Sequence, residues 1–299
     1  MNSKGITGMQ ITNSWGYGYL WTVLYFLGVD IYDAGQNKMS SSRKNFSNKV
    51  IMKILFPFIM YFMIIYVLSH EITYAVTFTA DIKIPLCFII INLFSLALWH
   101  DVNRKRAFIR DFIVKCKKLG LCLQRSLTNI NTIINSCLVL IVFIVITAAA
   151  VCIFCMKYAP RELHMYFSFF MLADGDDIIS MLVKDTLIVM QFVCLFIPPA
   201  LAALLSGTIF FKTGDLIGKL RENLENIKLD VPCHNEISKI SMNYNYLYVL
   251  VHEVEKEFSP TNFLIVCSQW FNLNTVLLCY ILYKGDLLSY SLGSQIIAE

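Results

Sequence analysis

The sequence predicts an all-α protein, a polytopic membrane helix bundle of five spans with its N-terminus in the cytoplasm. Three observations carry this. Of 299 residues, 57% are hydrophobic and only 15% charged, too little charge to cover a soluble surface. The apolar residues gather into runs of bilayer length, with a mean hydropathy of +0.60 over the chain. Lysine and arginine then fall almost wholly on one side of those runs.

Five segments are long enough to span: Val50 to Ser69, Ile82 to Trp99, Ile133 to Met156, Thr186 to Phe211 and Thr261 to Tyr283. At 1.5 Å per residue the shortest reaches roughly 27 Å, close to the ~30 Å hydrocarbon core. Leu20 to Val29 is apolar but too short. It suits an interfacial or re-entrant helix, with Trp15, Tyr17, Tyr19 and Trp21 at headgroup depth. The first 49 residues show no charged start, apolar run and cleavage site in order, so the first span is expected to serve as the insertion signal.

Orientation follows from charge. With the N-terminus inside, 19 of the 25 Lys and Arg residues are cytoplasmic. Only Lys83, Lys157, Arg161, Lys184 and Lys284 lie outside, and Lys53 can snorkel from the inner end of the first span. The expected organisation is a cytoplasmic segment at 1–49 that includes the interfacial helix, spans 1–4 within 50–211, and a cytoplasmic loop at 212–260. The fifth span at 261–283 and an extracellular tail at 284–299 complete it.

That loop carries two periodic runs. Leu216, Leu220, Leu224 and Ile227 give a short amphipathic helix, ended by Pro232. Ile237, Ile240, Tyr244, Leu247, Val251, Val254 and Phe258 then step by threes and fours, a heptad seam about three heptads long. Such a seam needs an apolar partner, either a second subunit or the first inner loop of the same chain. In the fourth span Pro198-Pro199 should kink the helix. Ala202 with Ser206, and Ala203 with Gly207, are small-xxx-small pairs that permit close helix contact.

Catalytic and metal chemistry find no pattern. The five histidines are scattered, with no H-E-x-x-H or clustered set, and G-x-S-x-G, P-loop and G-x-G-x-x-G motifs are absent. We therefore expect no enzyme activity, no catalytic residues, no cofactor and no metal. Asp174, Asp176 and Asp177 form a solvated acidic turn whose spacing fits no calcium loop. Of ten cysteines only Cys155 approaches the outer surface, so no disulfide is expected, and Cys152-x-x-Cys155 has no second ligand pair. The basic first inner loop is expected to meet lipid headgroups, not nucleic acid, because it adjoins the bilayer.

Polar groups inside spans are costly, and Asn92, Gln191, Gln269, Asn272 and Asn274 each require a reason. Helix-to-helix hydrogen bonds are one. The other is a ligand cavity in the outer half of the bundle, lined by Asn92, Gln191, Trp270 and Asn274.

Several stretches together resemble the arthropod gustatory receptor-like family, within the insect seven-transmembrane chemoreceptor superfamily. Phe26-Leu27-Gly28-Val29 is similar to its N-terminal L-G motif. Tyr244, Tyr246-Leu247, Val249-Leu250-Val251 and Glu255 through Phe258 are similar to its Y-x-x-L-x-x-L-V-x-x-V-x-x-x-F run, and Asn274 to Tyr283 also fits. The resemblance implies a multi-pass plasma-membrane receptor, a ligand-gated cation channel assembled as a homo- or hetero-tetramer and opened by a small-molecule tastant. It further implies that the 212–260 loop is anchor-like, with the seam from Ile237 to Phe258 as its subunit contact. The family continues with a sixth span and a seventh, pore-lining helix carrying T-Y-x-x-x-x-x-Q-F. The chain reaches Glu299 without either, so the expectation is a C-terminally incomplete receptor. The alternatives are a fragment of a G-protein-coupled receptor, though D-R-Y is missing, or a non-conducting membrane protein or transporter.

Overall fold

Inside a bilayer a backbone must satisfy its own polar groups, and a helix does so within one segment. The computed structural model describes residues 18–29, 43–78, 83–122, 131–156, 178–225 and 234–296, and every regular element among them is an α-helix. In order they are α1 (Gly18–Phe26), α2 (Arg43–Phe78), α3 (Lys83–Arg104), α4 (Arg106–Cys122), α5 (Asn131–Met156), α6 (Ile178–Glu225) and α7 (His234–Ile296). Four stretches among the described residues are long and apolar enough to cross a membrane: Ile54–Thr73 in α2, Leu86–Arg104 in α3, Thr132–Phe154 in α5 and Ile178–Glu225 in α6. The expected fifth, residues 261–283, lies within α7, and its side chains from residue 278 onward lie outside the described residues. The Asp174, Asp176 and Asp177 turn lies outside them too.

The two amphipathic helices expected within residues 212–260 are parts of longer helices. Leu216 and Leu220 belong to α6, which runs 48 residues without a break. Both are buried, and that burial extends the helix through Gly214 and Gly218. The seam residues are likewise continuous with the expected fifth span in the 63-residue α7. Pro260 does not end that helix, because proline removes one hydrogen bond and adjacent packing can hold the rest. At ~1.5 Å per residue, α6 and α7 measure roughly 72 and 94 Å, two to three times a hydrocarbon core.

The end of α1 explains the Phe26-Leu27-Gly28-Val29 stretch physically. Gly28 takes φ 78°, the left-handed region that only glycine enters freely. The Val29 amide then donates to the Leu24 carbonyl at 2.9 Å, and the Gly28 amide to Tyr25 at 3.0 Å. This is a Schellman cap, with Leu24 and Val29 both buried as its apolar clasp. The Leu27 carbonyl accepts the Trp99 indole N–H of α3 at 2.9 Å, and Phe56 of α2 packs on the Trp99 ring with centroids 6.3 Å apart. Gly28→Ala should therefore cost about 1–2 kcal/mol through left-handed strain. Trp99→Phe in the same background should add less than it costs alone, since both act through Leu27. Additive losses in detergent unfolding would refute this shared latch.

The chain packs as two compact units. One takes residues 1–59, 98–144 and 200–263, the other 60–97, 145–199 and 264–299. The first has a core that includes Phe56, Leu98, Phe112, Leu205, Leu250 and Phe258; the second is built on Met60, Met63, Val67, Ile91 and Leu195. The prolines inside α2, α6 and α7 (Pro57, Pro198-Pro199 and Pro260) all stand where those helices pass from one unit to the other. Of the small-residue pairs in α6, Ala202 and Ser206 are buried, and Ser206 Oγ donates to Asn262 Oδ1 of α7 at 2.5 Å. Gly207 is exposed, and a Cβ added there would meet nothing. That pair makes no close helix approach within this chain.

Candidate functional site

In the second unit, segments of α3, α6 and α7 meet at one level. Ser95 Oγ of α3 donates to the Cys194 carbonyl of α6 at 2.6 Å, and the Phe94 and Phe271 rings of α3 and α7 pack at 5.4 Å. Asn92 lies one turn from Ser95, Gln191 one turn from Cys194, and Trp270 packs edge-on against Phe271 at 5.1 Å. The four residues expected to line a ligand cavity thus share a level, but they do not share a face. Asn92 is buried, and its amide donates to the Phe88 carbonyl of its own helix at 2.8 Å. Gln191 is half-buried. Trp270 and Asn274 are exposed, the Asn274 amide donating to the Trp270 carbonyl at 2.7 Å.

The same unit buries two residues that the pattern of apolar runs missed. α2 continues as a helix through His70 and Glu71 to Phe78, and both side chains are almost fully enclosed. Both lie just beyond Ser69, where the expected first span ends, in a stretch that is still helical. Enclosing two ionisable side chains one step apart is costly unless each finds a partner.

In the first unit the polar chemistry concentrates at the α3–α4 turn. Lys105 is the single non-helical residue there, and the backbone ladder passes through it: its amide donates to Asp101 and its carbonyl accepts from Ile109. The ladder carries the side chain inward, where only 5% of it is exposed. Its ammonium donates to Asp101 Oδ2 at 2.7 Å and to Thr261 Oγ1 of α7 at 2.6 Å. The Thr261 hydroxyl donates in turn to Asp101 Oδ2 at 2.6 Å, closing a triangle. The Phe258 ring lies 5.4 Å from the same nitrogen, a cation–π contact. Two acceptors, one of them a carboxylate, and a ring face surround the ammonium, which lets a buried charge persist.

A second bridge joins α4 to α7 further along. Lys115 Nζ donates to Glu253 at 2.6 Å and contacts Asp111 at 2.9 Å. Its hydrogen bonds to Glu253 and then Asp111 hold the ammonium well above the ordinary lysine value. A raised lysine contributes stability that is fully present below the ordinary lysine pKa and lost only as pH climbs past the raised value, so physiological pH leaves the bridge intact. Nearby, burial pushes the Cys116 thiol up to about 12 against the opposing pull of Lys212. A thiol so placed is inert, not nucleophilic. Cys87, Cys116, Cys137, Cys194 and Cys267 carry free thiols.

The seam of α7 divides between inside and outside. Leu247, Val254 and Phe258 are closed over by their own chain, and Phe258 packs on Phe108 of α4 at 6.0 Å. Val251 and Ile240 are half-buried, while Ile237 and Tyr244 stand exposed. Only the N-terminal part of the seam is open to a second subunit.

No protein-family model, curated protein or solved structure matches the chain.

Proposed function

We propose that the chain is a chemoreceptor subunit of the gustatory receptor-like kind, a component of a ligand-gated cation channel in the plasma membrane. Its N-terminus is cytoplasmic, α7 supplies a fifth span, and the ligand is a small-molecule tastant. The observation that carries the reading is helix continuity. α6 passes from an apolar stretch into a long arm without a break, and α7 begins as such an arm. The resemblance implies that arrangement for helices whose inner ends hold subunits together. The level of α3, α6 and α7 around Ser95 and Cys194 is the natural place for ligand to act, since polar groups in a span need partners that a ligand can supply.

The test is a thermal-shift screen of the purified protein against sugars and bitter compounds. A saturable shift is expected for at least one compound, reduced about tenfold in apparent affinity by Gln191→Leu, the loss of one or two hydrogen bonds. A panel without any saturable shift, or a shift indifferent to Gln191→Leu, Trp270→Ala and Asn274→Leu, would remove the reading.

One observation favours a second reading, a transporter: the enclosed His70 and Glu71 of α2. Substrate accumulation in proteoliposomes, abolished by Glu71→Gln, would select it over the receptor.

A further inference from the structure

Cations in this chain fall into two groups. Lys105, Lys115, Lys219 and Arg221 each contact a carboxylate within 3 Å. Among the described residues, Arg104, Arg106, Arg110, Lys117, Lys118, Lys184, Lys239 and Lys256 make no such pair, and the first five gather on α4 or the last residue of α3. Arg104, Arg106 and Lys118 are exposed, Arg110 and Lys117 half-buried. At ~100° per residue, Arg106, Arg110 and Lys117 project within about 40° of one another. The buried side of α4, with Ile109, Phe112, Ile113, Cys116 and Leu119, fills the adjoining arc, centred about 100° away, so the stripe runs along its edge with Arg110 and Lys117 half-buried. The acid nearest the exposed arc, Asp111, is already held by Lys115.

Position gives this stripe its meaning. The apolar stretch of α3 ends at Arg104, and the backbone ladder continues through Lys105 into α4. Arg106 and Arg110 therefore stand within roughly 9 Å of the end of the span, inside one Debye length. Lys117 and Lys118 lie roughly 20 Å out. Unpaired cations directly beyond a span sit where anionic headgroups concentrate negative potential, and each is attracted there.

We propose that the near end of this stripe, Arg106 and Arg110, is a binding surface for anionic phospholipid headgroups in the leaflet at that end of α3. The stripe fixes the depth of α3 and, through Lys105, the position of the triangle it forms with Asp101 and Thr261. This inference depends on α3 crossing the membrane and not on the receptor reading. A bilayer makes a graded demand, strongest near the span, whereas a nucleic acid or acidic protein would engage all five cations along α4 alike.

The experiment uses the full chain in mild detergent, with phosphatidylserine or phosphatidylcholine added and retained lipid counted by native mass spectrometry. Phosphatidylserine should be preferred, and the preference should shrink as salt rises from about 0.1 to 0.5 M. Arg106→Gln with Arg110→Gln should lower that preference about tenfold, and Lys117→Gln with Lys118→Gln less than about threefold. Arg221→Gln, whose side chain is paired with Glu225, should change nothing. If the double arginine variant does not fold, Arg106→Gln alone carries the test, since its side chain is exposed. Unchanged phosphatidylserine preference in the arginine variant overturns the proposal. Equal losses in the two pairs, or tighter binding of a duplex oligonucleotide than of phosphatidylserine, also overturn it.

Discussion

Lys105→Met should destabilise the protein by about 3–5 kcal/mol, because it leaves Asp101 buried without its counter-charge. The side chain is 5% exposed and Asp101 only 17%, so water cannot replace the lost partner. Thr261 still donates to the carboxylate, yet one hydroxyl does not neutralise a charge. Asp101→Asn should cost less, since the amide oxygen keeps an acceptor for Lys105 and Thr261. The informative variant is double. Asp101→Leu with Lys105→Met removes both charges and should recover most of the loss, because apolar replacements of a buried pair are often neutral or better. Detergent-micelle unfolding followed by circular dichroism measures all three, and the coupling should be at least about 1 kcal/mol. A neutral Lys105→Met, or a double variant as unstable as the sum of its parts, would show that the triangle is solvated and not structural.

Four apolar spans were legible because hydropathy depends on composition summed over many residues. Trp99 and the end of α1 were half-legible. A glycine after an apolar run signals a C-cap, but nothing local names the indole that takes the Leu27 carbonyl 72 residues away. The triangle was not legible for the same reason. Asp101 and Lys105 are spaced as an ordinary exposed i, i+4 pair, and only Thr261, distant in sequence, turns them into a buried group. The enclosure of His70 and Glu71 was not legible because a polar pair after an apolar run reads as an exposed end, and only the packing of the continuing helix closes over them. The set expected to line a ligand cavity illustrates a different limit. Periodicity gives the level of Asn92, Gln191, Trp270 and Asn274, but which way each side chain turns depends on the neighbouring helices.

Charge placed along the α7 seam should separate two effects that the heptad pattern merges. Leu247 is 4% exposed, so Leu247→Asp puts an unpaired carboxylate into the core of its own subunit. The expected loss is at least about 4 kcal/mol, in the range where marginal proteins fail to fold. Tyr244 and Ile237 lie on the same seam but are 59% and 48% exposed. Ile237→Asp with Tyr244→Asp should therefore leave monomer stability within about 1 kcal/mol, as surface changes do. If a second subunit covers this end of the helix, the same pair should abolish oligomers, because an interface core excludes unpaired charge. Native-gel mobility and micellar unfolding, read together on both variants, distinguish the cases. Oligomers that survive Ile237→Asp with Tyr244→Asp would place the subunit contact elsewhere. A folded, stable Leu247→Asp chain would instead show that α7 does not close against its own subunit, and the whole seam from Ile237 to Phe258 would again be open to a partner.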